Sequence, residues 1–304
     1  MREFESLYDL FEAIPDEETA RAHFTAVRWK HGEFCPYCGH GTVYHFADNK
    51  TYKCQACRKR FWIGVGTVME GTKIPVRKWL AAIWLITSHK KGIASLQLAR
   101  DLHVTQKTAW FMLHRLRHAA RTRSFNRPLK GEVEADEVFI GGKEKTKHAH
   151  KRGKDDKAVV FGILERGGEL RAKPIKSLKE AKLEIVRQVE PGASVMTDEW
   201  PGYQGLRKRL HHHTVNHSAG EYVKHYFAHV NGIESVWALL KRQIYGIHHW
   251  VSKTHLHRYI DEAVWRFNRR KVVDGHRVSE FLSRVDGRLK YRVLIAKSYP
   301  NLLR

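Results

Sequence analysis

Residues 132–142 read EVEADEVFIGG and residues 193–199 read ASVMTDE. Each is a short run of β-branched and apolar residues, the texture of a strand, with an aspartate at or near its carboxyl end: Asp136 in the first, Asp198 in the second. A carboxylate set behind apolar strand residues is costly unless it is paired or holds a metal. Around these two runs the chain alternates. AVVFGILERG (158–167) and ELRAKPIKS (169–177) read as the second and third strands, and Leu178 to Val189 reads as a helix ended by Pro191-Gly192. WPGYQGLRKRL (200–210) reads as a short helix and HHHTVNH (211–217) as a fifth strand. Three strands, helix, strand, helix, strand, helix is an α/β layer pattern. In open sheets of this kind sites form beyond the carboxyl ends of the strands, so adjacent strands would bring Asp136 and Asp198 together.

The next helix is HVNGIESVWALLKRQ (229–243). Ile233, Val236, Leu239 and Leu240 can pack on the sheet, while Glu234 and Lys241, seven residues or two turns apart, share a face. Glu234 can supply a third carboxylate. Three carboxylates around two hard cations would hold Mg2+ or Mn2+, one activating an attacking hydroxyl and one stabilising the leaving oxygen of a phosphodiester. Lys241 would contact a phosphate near the scissile bond, and Asn231, one turn before Glu234, could join the metal shell.

All four cysteines fall in one region, as Cys35-x-x-Cys38 and Cys54-x-x-Cys57 separated by fifteen residues. Two such knuckles on neighbouring hairpins complete a tetrahedral four-thiolate zinc site. No coordination position stays open, so one structural Zn2+ is expected, with strands over Thr42 to Phe46 and Thr51 to Lys53. His40 and His45 lie nearby, but exchanging either for a cysteine ligand is the less economical reading.

Pro75 begins a helix containing WLAAIWLIT (79–87), and Gly92 stops it. A short helix from Ala94 to Leu102, a turn at His103-Val104 and a longer helix capped by Thr105 follow, with Ala109, Trp110, Leu113 and Leu116 at core spacing. That is a helix-turn-helix pattern whose second helix is expected to present Gln106, Lys107, Arg115 and Arg117 outward for DNA binding. RTRSFNRPLKGE (121–132) reads as a linker and KEKTKHAHKRGKDDK (143–157) as a mobile loop. Residues 254–295 read as helical.

The charge balance points the same way. Lys plus Arg number 55 against 32 Asp plus Glu among 304 residues, a formal net charge of +23. Basic residues spread over the whole chain suit several surfaces that meet a polyanion rather than one basic arm. The apolar run at residues 79–87 is about half the length that spans a bilayer, and MREFESLYDLFEAIPDEE is no secretory signal, so a cytoplasmic protein with no membrane partner is expected. Clustered cysteines agree with a reducing compartment.

At IPDEETARAHFTAVRWKHGEFCPYCG, EADEVFIGGKEK, MTDEWPGY and HVNGIESVWALLKR the chain resembles the DDE transposases of bacterial insertion sequences, specifically the zinc-ribbon-bearing ISXO-like family. The resemblance covers almost the whole chain. It implies a multidomain α+β protein: a zinc ribbon, a helix-turn-helix module and an RNase H-like catalytic domain with C-terminal helices. The corresponding segments are 1–33 (N-terminal helices), 34–66 (ribbon), 72–122 (helix-turn-helix), 131–274 (catalytic) and 275–304 (helical tail). It implies Asp136 and Asp198 as the first two metal ligands, Glu234 as the third with Asn231 as a second candidate, and Lys241 as the downstream lysine. The implied reaction is hydrolytic cleavage at the element's ends and attack of the exposed 3' hydroxyls on target DNA. Terminal inverted repeats and target DNA are the implied partners, handled by at least a dimer on the bacterial nucleoid. A non-catalytic zinc-ribbon and helix-turn-helix regulator, or a structure-selective nuclease on the same fold, are the alternatives, since fold alone does not separate them. A structural RNA-binding protein is disfavoured because no aromatic-rich single-strand platform is evident in the sequence.

Overall fold

The computed structural model describes residues 4–121, 127–141, 157–215 and 229–296. The loop expected at 143–157 therefore lies outside the described residues apart from Lys157, as do residues 122–126 of the expected linker. Two compact units are formed, Met1–Arg121 with Arg269–Arg304, and Thr122–Asn268.

The first unit opens with helices α1 (Leu7–Ala13) and α2 (Glu17–Arg28). Asp16 caps α2 by accepting from the Thr19 amide at 2.7 Å, and Glu17 and Glu18 place negative charge at the positive end of the helix. A three-stranded antiparallel ribbon follows, β1 (Val43–His45), β2 (Tyr52–Cys54) and β3 (Arg60–Phe61). Helix α3 (Val76–Ser88) holds the apolar run, and every residue from Trp79 to Thr87 is buried, against α2, the two helices that follow and a helix from the carboxyl end of the chain. Its apolarity belongs to a core, and among the described residues no helix is long and apolar enough to cross a membrane. The Glu17 carboxylate accepts from the first amides of α3, Val76 at 2.8 Å and Arg77 at 3.0 Å, in place of a local cap. Helices α4 (Ser95–Leu102) and α5 (Gln106–Ala120) are joined through His103, whose φ of +49° makes the turn, and Thr105 caps α5 through the Thr108 amide at 3.2 Å.

The second unit is a five-stranded sheet: β4 (Glu132–Ile140), β5 (Ala158–Glu165), β6 (Leu170–Ile175), β7 (Ser194–Asp198) and β8 (His211–Val215). Their order is β6-β5-β4-β7-β8, with β5 antiparallel to its neighbours β4 and β6, and β7 and β8 parallel to β4. A mixed sheet with helices on both faces fits the α+β architecture expected above. Helix α6 (Lys179–Gln188) covers one face through Ala181 and Ile185, on a core with Val133, Ala135 and Phe161. Helices α7 (Asn231–Lys241) and α8 (Lys253–Asn268) cover the other through Ile233, Val236, Trp237 and Ile260, on Val138, Ile140 and Val160. Strand alternation sorts β4 between the two, odd positions toward α6 and even ones toward α7. The segment 200–210 forms two short 3-10 turns, Pro201–Tyr203 and Leu206–Lys208, instead of one helix. Gly205 between them, at φ +84°, breaks the helical path.

Helices α9 (Asp274–Leu282) and α10 (Tyr291–Leu294) belong to the first unit, not to a separate tail. Helix α9 packs on α3 and α2, and Thr67 bridges Asp286. The division between the units falls at residue 268, ahead of the expected boundary at 274.

Candidate active site and zinc centre

The register of the two parallel strands builds the acidic site. Glu132, Val133 and Glu134 of β4 pair with Ser194, Val195 and Met196 of β7, a constant offset that, continued two residues, sets Asp136 level with Asp198. Asp198 closes its strand as expected. Asp136 lies mid-strand rather than at a strand end, because β4 runs on to Ile140 in pairing with β5; it stands just past the last residue paired with β7. Carboxylate oxygens of Asp136, Glu137 and Asp198 lie within 4.8 Å of one another.

Glu137 is absent from the sequence reading. As an odd position it approaches from the α6 side, where the buried Tyr203 hydroxyl donates to it. The adjacent acids of ADEVF are the signal that could have found it. Asp136 accepts from Trp237 Nε1 of α7 at 3.0 Å, and Asp198 accepts from the Trp200 amide at 3.1 Å. Burial pushes the Asp136 carboxyl up to about 6, helped by the charges of Asp198 and Glu234 and opposed by donors from Glu137 and Trp237. Burial also pushes Glu137 up to about 7, the Tyr203 donor opposing and Asp198 and Asp136 adding to the rise. An all-oxygen acidic set whose members resist ionising together suits a hard divalent cation.

Helix α7 presents Asn231, Glu234 and Lys241 to solvent along the stripe that includes Trp237. Glu234 is near enough to raise the Asp136 carboxyl, but the tight cluster holds Glu137 and not Glu234. Asn231 begins the helix and Lys241 ends it, one turn before and two turns after Glu234, and neither is in the carboxylate cluster. The start of α7 is fixed by Glu134, a buried acid that sequence reasoning also passes over. It accepts from the Ile233 amide at 2.8 Å and from Arg166 Nε at 2.8 Å, while Arg166 also donates to the His229 carbonyl at 2.8 Å. A Cβ on Gly232 would stand 2.7 Å from Glu134 Oε2, so the close approach of helix and carboxylate requires glycine there.

The four cysteine sulfurs also lie within 4.8 Å of one another, with Cys35 to Cys57 at 3.7 Å and Cys38 to Cys54 at 3.6 Å. Zn–S bonds of about 2.3 Å in a tetrahedron put sulfurs roughly 3.8 Å apart, so the set fits zinc. Amides of Tyr37 and Cys57 donate to Cys35 and Cys54 at 3.4 Å each. Gly39 and Arg58, each directly after the second cysteine of a knuckle, take φ of +76° and +58° to close the two turns. His45 bonds Glu33 at 2.9 Å, which turns it to a different partner.

In the helix-turn-helix, Gln106 and Lys107 are exposed, Gln106 donating to Ser95 at 3.0 Å and the Lys107 ammonium lying 5.2 Å from the Tyr291 ring centre. Arg115 and Arg117 are not outward. They are 6% and 1% exposed, because α5 is surrounded beyond its first two turns. Arg115 donates to the Glu70 carbonyl at 3.0 Å and stacks 4.4 Å from the Phe111 ring centre. Both arginines therefore build the unit's interior.

Family models match in two places, the ISXO2-like transposase domain at residues 128–268 and the transposase zinc-ribbon domain at residues 15–60. The chain is 30% identical over 267 residues to an uncharacterised protein in transposable element ISH50 of Halobacterium salinarum, covering 80% of this chain and 88% of that protein. It is 32% identical over 92 residues to an uncharacterised transposase-like protein of Haemophilus influenzae, 30% of this chain and 72% of that one. A crystal structure of a pre-cleavage Mos1 transpososome aligns with 69% of this chain and 80% of its own at 12% identity and a TM-score of 0.25, a likeness that carries no argument. With the two matched domains lying on the acidic sheet and the four-cysteine ribbon, the chain belongs to the ISXO2-like transposases of insertion elements.

Proposed function

We propose that this transposase cuts DNA at the ends of its element and joins the freed 3' hydroxyls to target DNA. The observation that supports this most directly is the levelling of Asp136 with Asp198 on neighbouring parallel strands, with Trp237 tying α7 to Asp136. Asp136 and Asp198 would hold divalent cations, Glu234 would close the set from α7 with Asn231 beside it, and Glu137 stands by the pair from the opposite face. Bound there, two Mg2+ or Mn2+ ions would lower the pKa of the attacking hydroxyl and stabilise the leaving oxygen.

The chain's own groups do the rest. Lys241, exposed two turns from Glu234, neutralises a phosphate next to the scissile bond. In the first step water forms the new P–O bond and the 3' oxygen of the element leaves with a proton. In the second that 3' hydroxyl attacks a target phosphodiester, and the target's own 3' oxygen leaves. One P–O bond replaces another, so no covalent protein–DNA intermediate is required. Gln106 and Lys107 at the start of α5, together with the ribbon, contact the terminal inverted repeats, and two ends in one complex call for at least two chains. A chain of this composition, with clustered thiolates, works in the cytoplasm on the nucleoid.

The test is a cleavage and joining assay with DNA flanking the element, comparing the intact chain with Asp136→Ala and Asp198→Ala. Metal-dependent nicks and joined products, lost in both variants while DNA binding persists, are expected. Nicks without joining would favour the structure-selective nuclease, and binding with neither product the regulator.

A further inference from the structure

Helix α7 passes into a π-helical turn, Arg242–Ile247, before α8 begins. Such turns are rare and frequently lie at functional sites. Here the turn carries Tyr245, whose hydroxyl accepts from the Gly141 amide at 3.1 Å and donates to the Gly141 carbonyl at 2.9 Å, locking it to the end of β4. The buried Gln243 amide, bonded by Arg266 of α8 at 2.9 Å, fixes the turn from beneath. His249, at φ +60°, then directs the chain into Trp250. The result is a cavity of about 410 Å³ lined by Phe139, Tyr245 and Trp250. These three aromatic side chains are 46%, 42% and 73% exposed, an unusual amount of ring surface to leave in water. Its other lining includes Lys157 and His249 and, among the described residues, no acid, and Lys241 just ahead of the turn and Arg242 at its start lie exposed.

The geometry points to a seat for an unpaired nucleobase of the processed DNA strand. Flat apolar rings bounded by cations match a base with its phosphates, since every base has a stackable face and a phosphate beside it. This deepens the strand-cutting reading and rests on it for the identity of the strand. The platform rests on Tyr245 and Trp250, which the turn brings to one cavity, while Phe139, an odd position of β4, lines its edge.

The experiment uses the full chain without added divalent cation and compares a blunt duplex with the same duplex bearing a short unpaired 3' tail. Fluorescence anisotropy reads affinity, and 2-aminopurine placed in turn along the tail reads stacking. The intact chain is expected to prefer the tailed DNA and to quench 2-aminopurine at one or two adjacent positions of the tail rather than evenly along it. Trp250→Ala is expected to lower affinity for the tailed DNA by about tenfold and for the blunt duplex by less than about twofold, with Trp250→Phe retaining most of the preference. Equal losses on both DNAs, no loss on either, or loss of self-association with unchanged DNA binding would overturn the proposal. Asp136→Ala should keep the tail preference, so a failed cleavage reading and a failed base seat give different results.

Discussion

Trp237 of α7 donates its indole N–H to Asp136 of β4 at 3.0 Å, and its ring fills the space above Gly162 of β5, where a Cβ would come within 2.5 Å of it. One side chain thereby fixes both the orientation of an acid and the lateral position of the helix that carries Glu234 and Lys241.

Trp237→Phe keeps most of the packing and removes the donor. Loss of a hydrogen bond to a charged acceptor is expected to lower stability by about 1.5–3 kcal/mol, read as a shift in the urea midpoint. Strand cleavage should fall further than the stability loss implies, because Asp136 loses its orientation. Gly162→Ala should destabilise by about 1–3 kcal/mol through overpacking against the same ring.

The acidic cluster sets a pH dependence. Asp136 and Glu137 are pushed up to about 6 and about 7 from ordinary values of 3.8 and 4.5. The folded state therefore binds protons more tightly than the unfolded chain, so stability is greatest below about pH 4 as far as these groups act and is lost as pH rises through 6 and 7. Without divalent cation the melting temperature should fall between pH 5 and about 8. Saturating Mg2+ should flatten the slope, and Asp136→Asn should remove part of it and raise stability at about pH 8 by on the order of 1–3 kcal/mol.

Zinc should be found at one atom per chain by elemental analysis. Cys54→Ser, or a strong chelator, should unfold the ribbon and weaken binding to element ends, since the ribbon strands have little core apart from Val43, Tyr52 and Phe61 to stand on. A chain that binds no zinc yet keeps a folded ribbon would sink this expectation.

The cations of α5 divide by burial. Arg115→Ala should cost about 2–4 kcal/mol of stability through the lost Glu70 bond and the Phe111 stacking. Lys107→Ala should leave stability near that of the intact chain and reduce the slope of DNA affinity against salt by about one.

Local patterns carry most of what the sequence reveals. Alternation and turn residues place the five strands, and the cysteine spacing places the ribbon, because each depends on neighbours a few residues away. Asp136 and Asp198 are legible as a pair from strand texture alone. Glu137 is not, since alternation sends it to the opposite face and only Tyr203, sixty-six residues on, turns it back. Arg115 and Arg117 mislead for a similar reason. Their helical positions look outward within α4 and α5, and it is the segment at Glu70 that covers Arg115. Tyr245 and Trp250 read as scattered aromatics until the π-helical turn brings them to one cavity.

Helices α9 and α10 close the first unit from the far end of the chain, with α9 against α3 and α2. Translation therefore imposes a schedule. The sheet unit, contiguous from Thr122 to Asn268, can fold while the ribosome is still at work, whereas the unit with the ribbon and the helix-turn-helix must wait for residues 269–296 to emerge. A nascent chain acquires the acidic site before it completes the unit that carries the ribbon, and a message cut short after residue 268 yields the former without the latter.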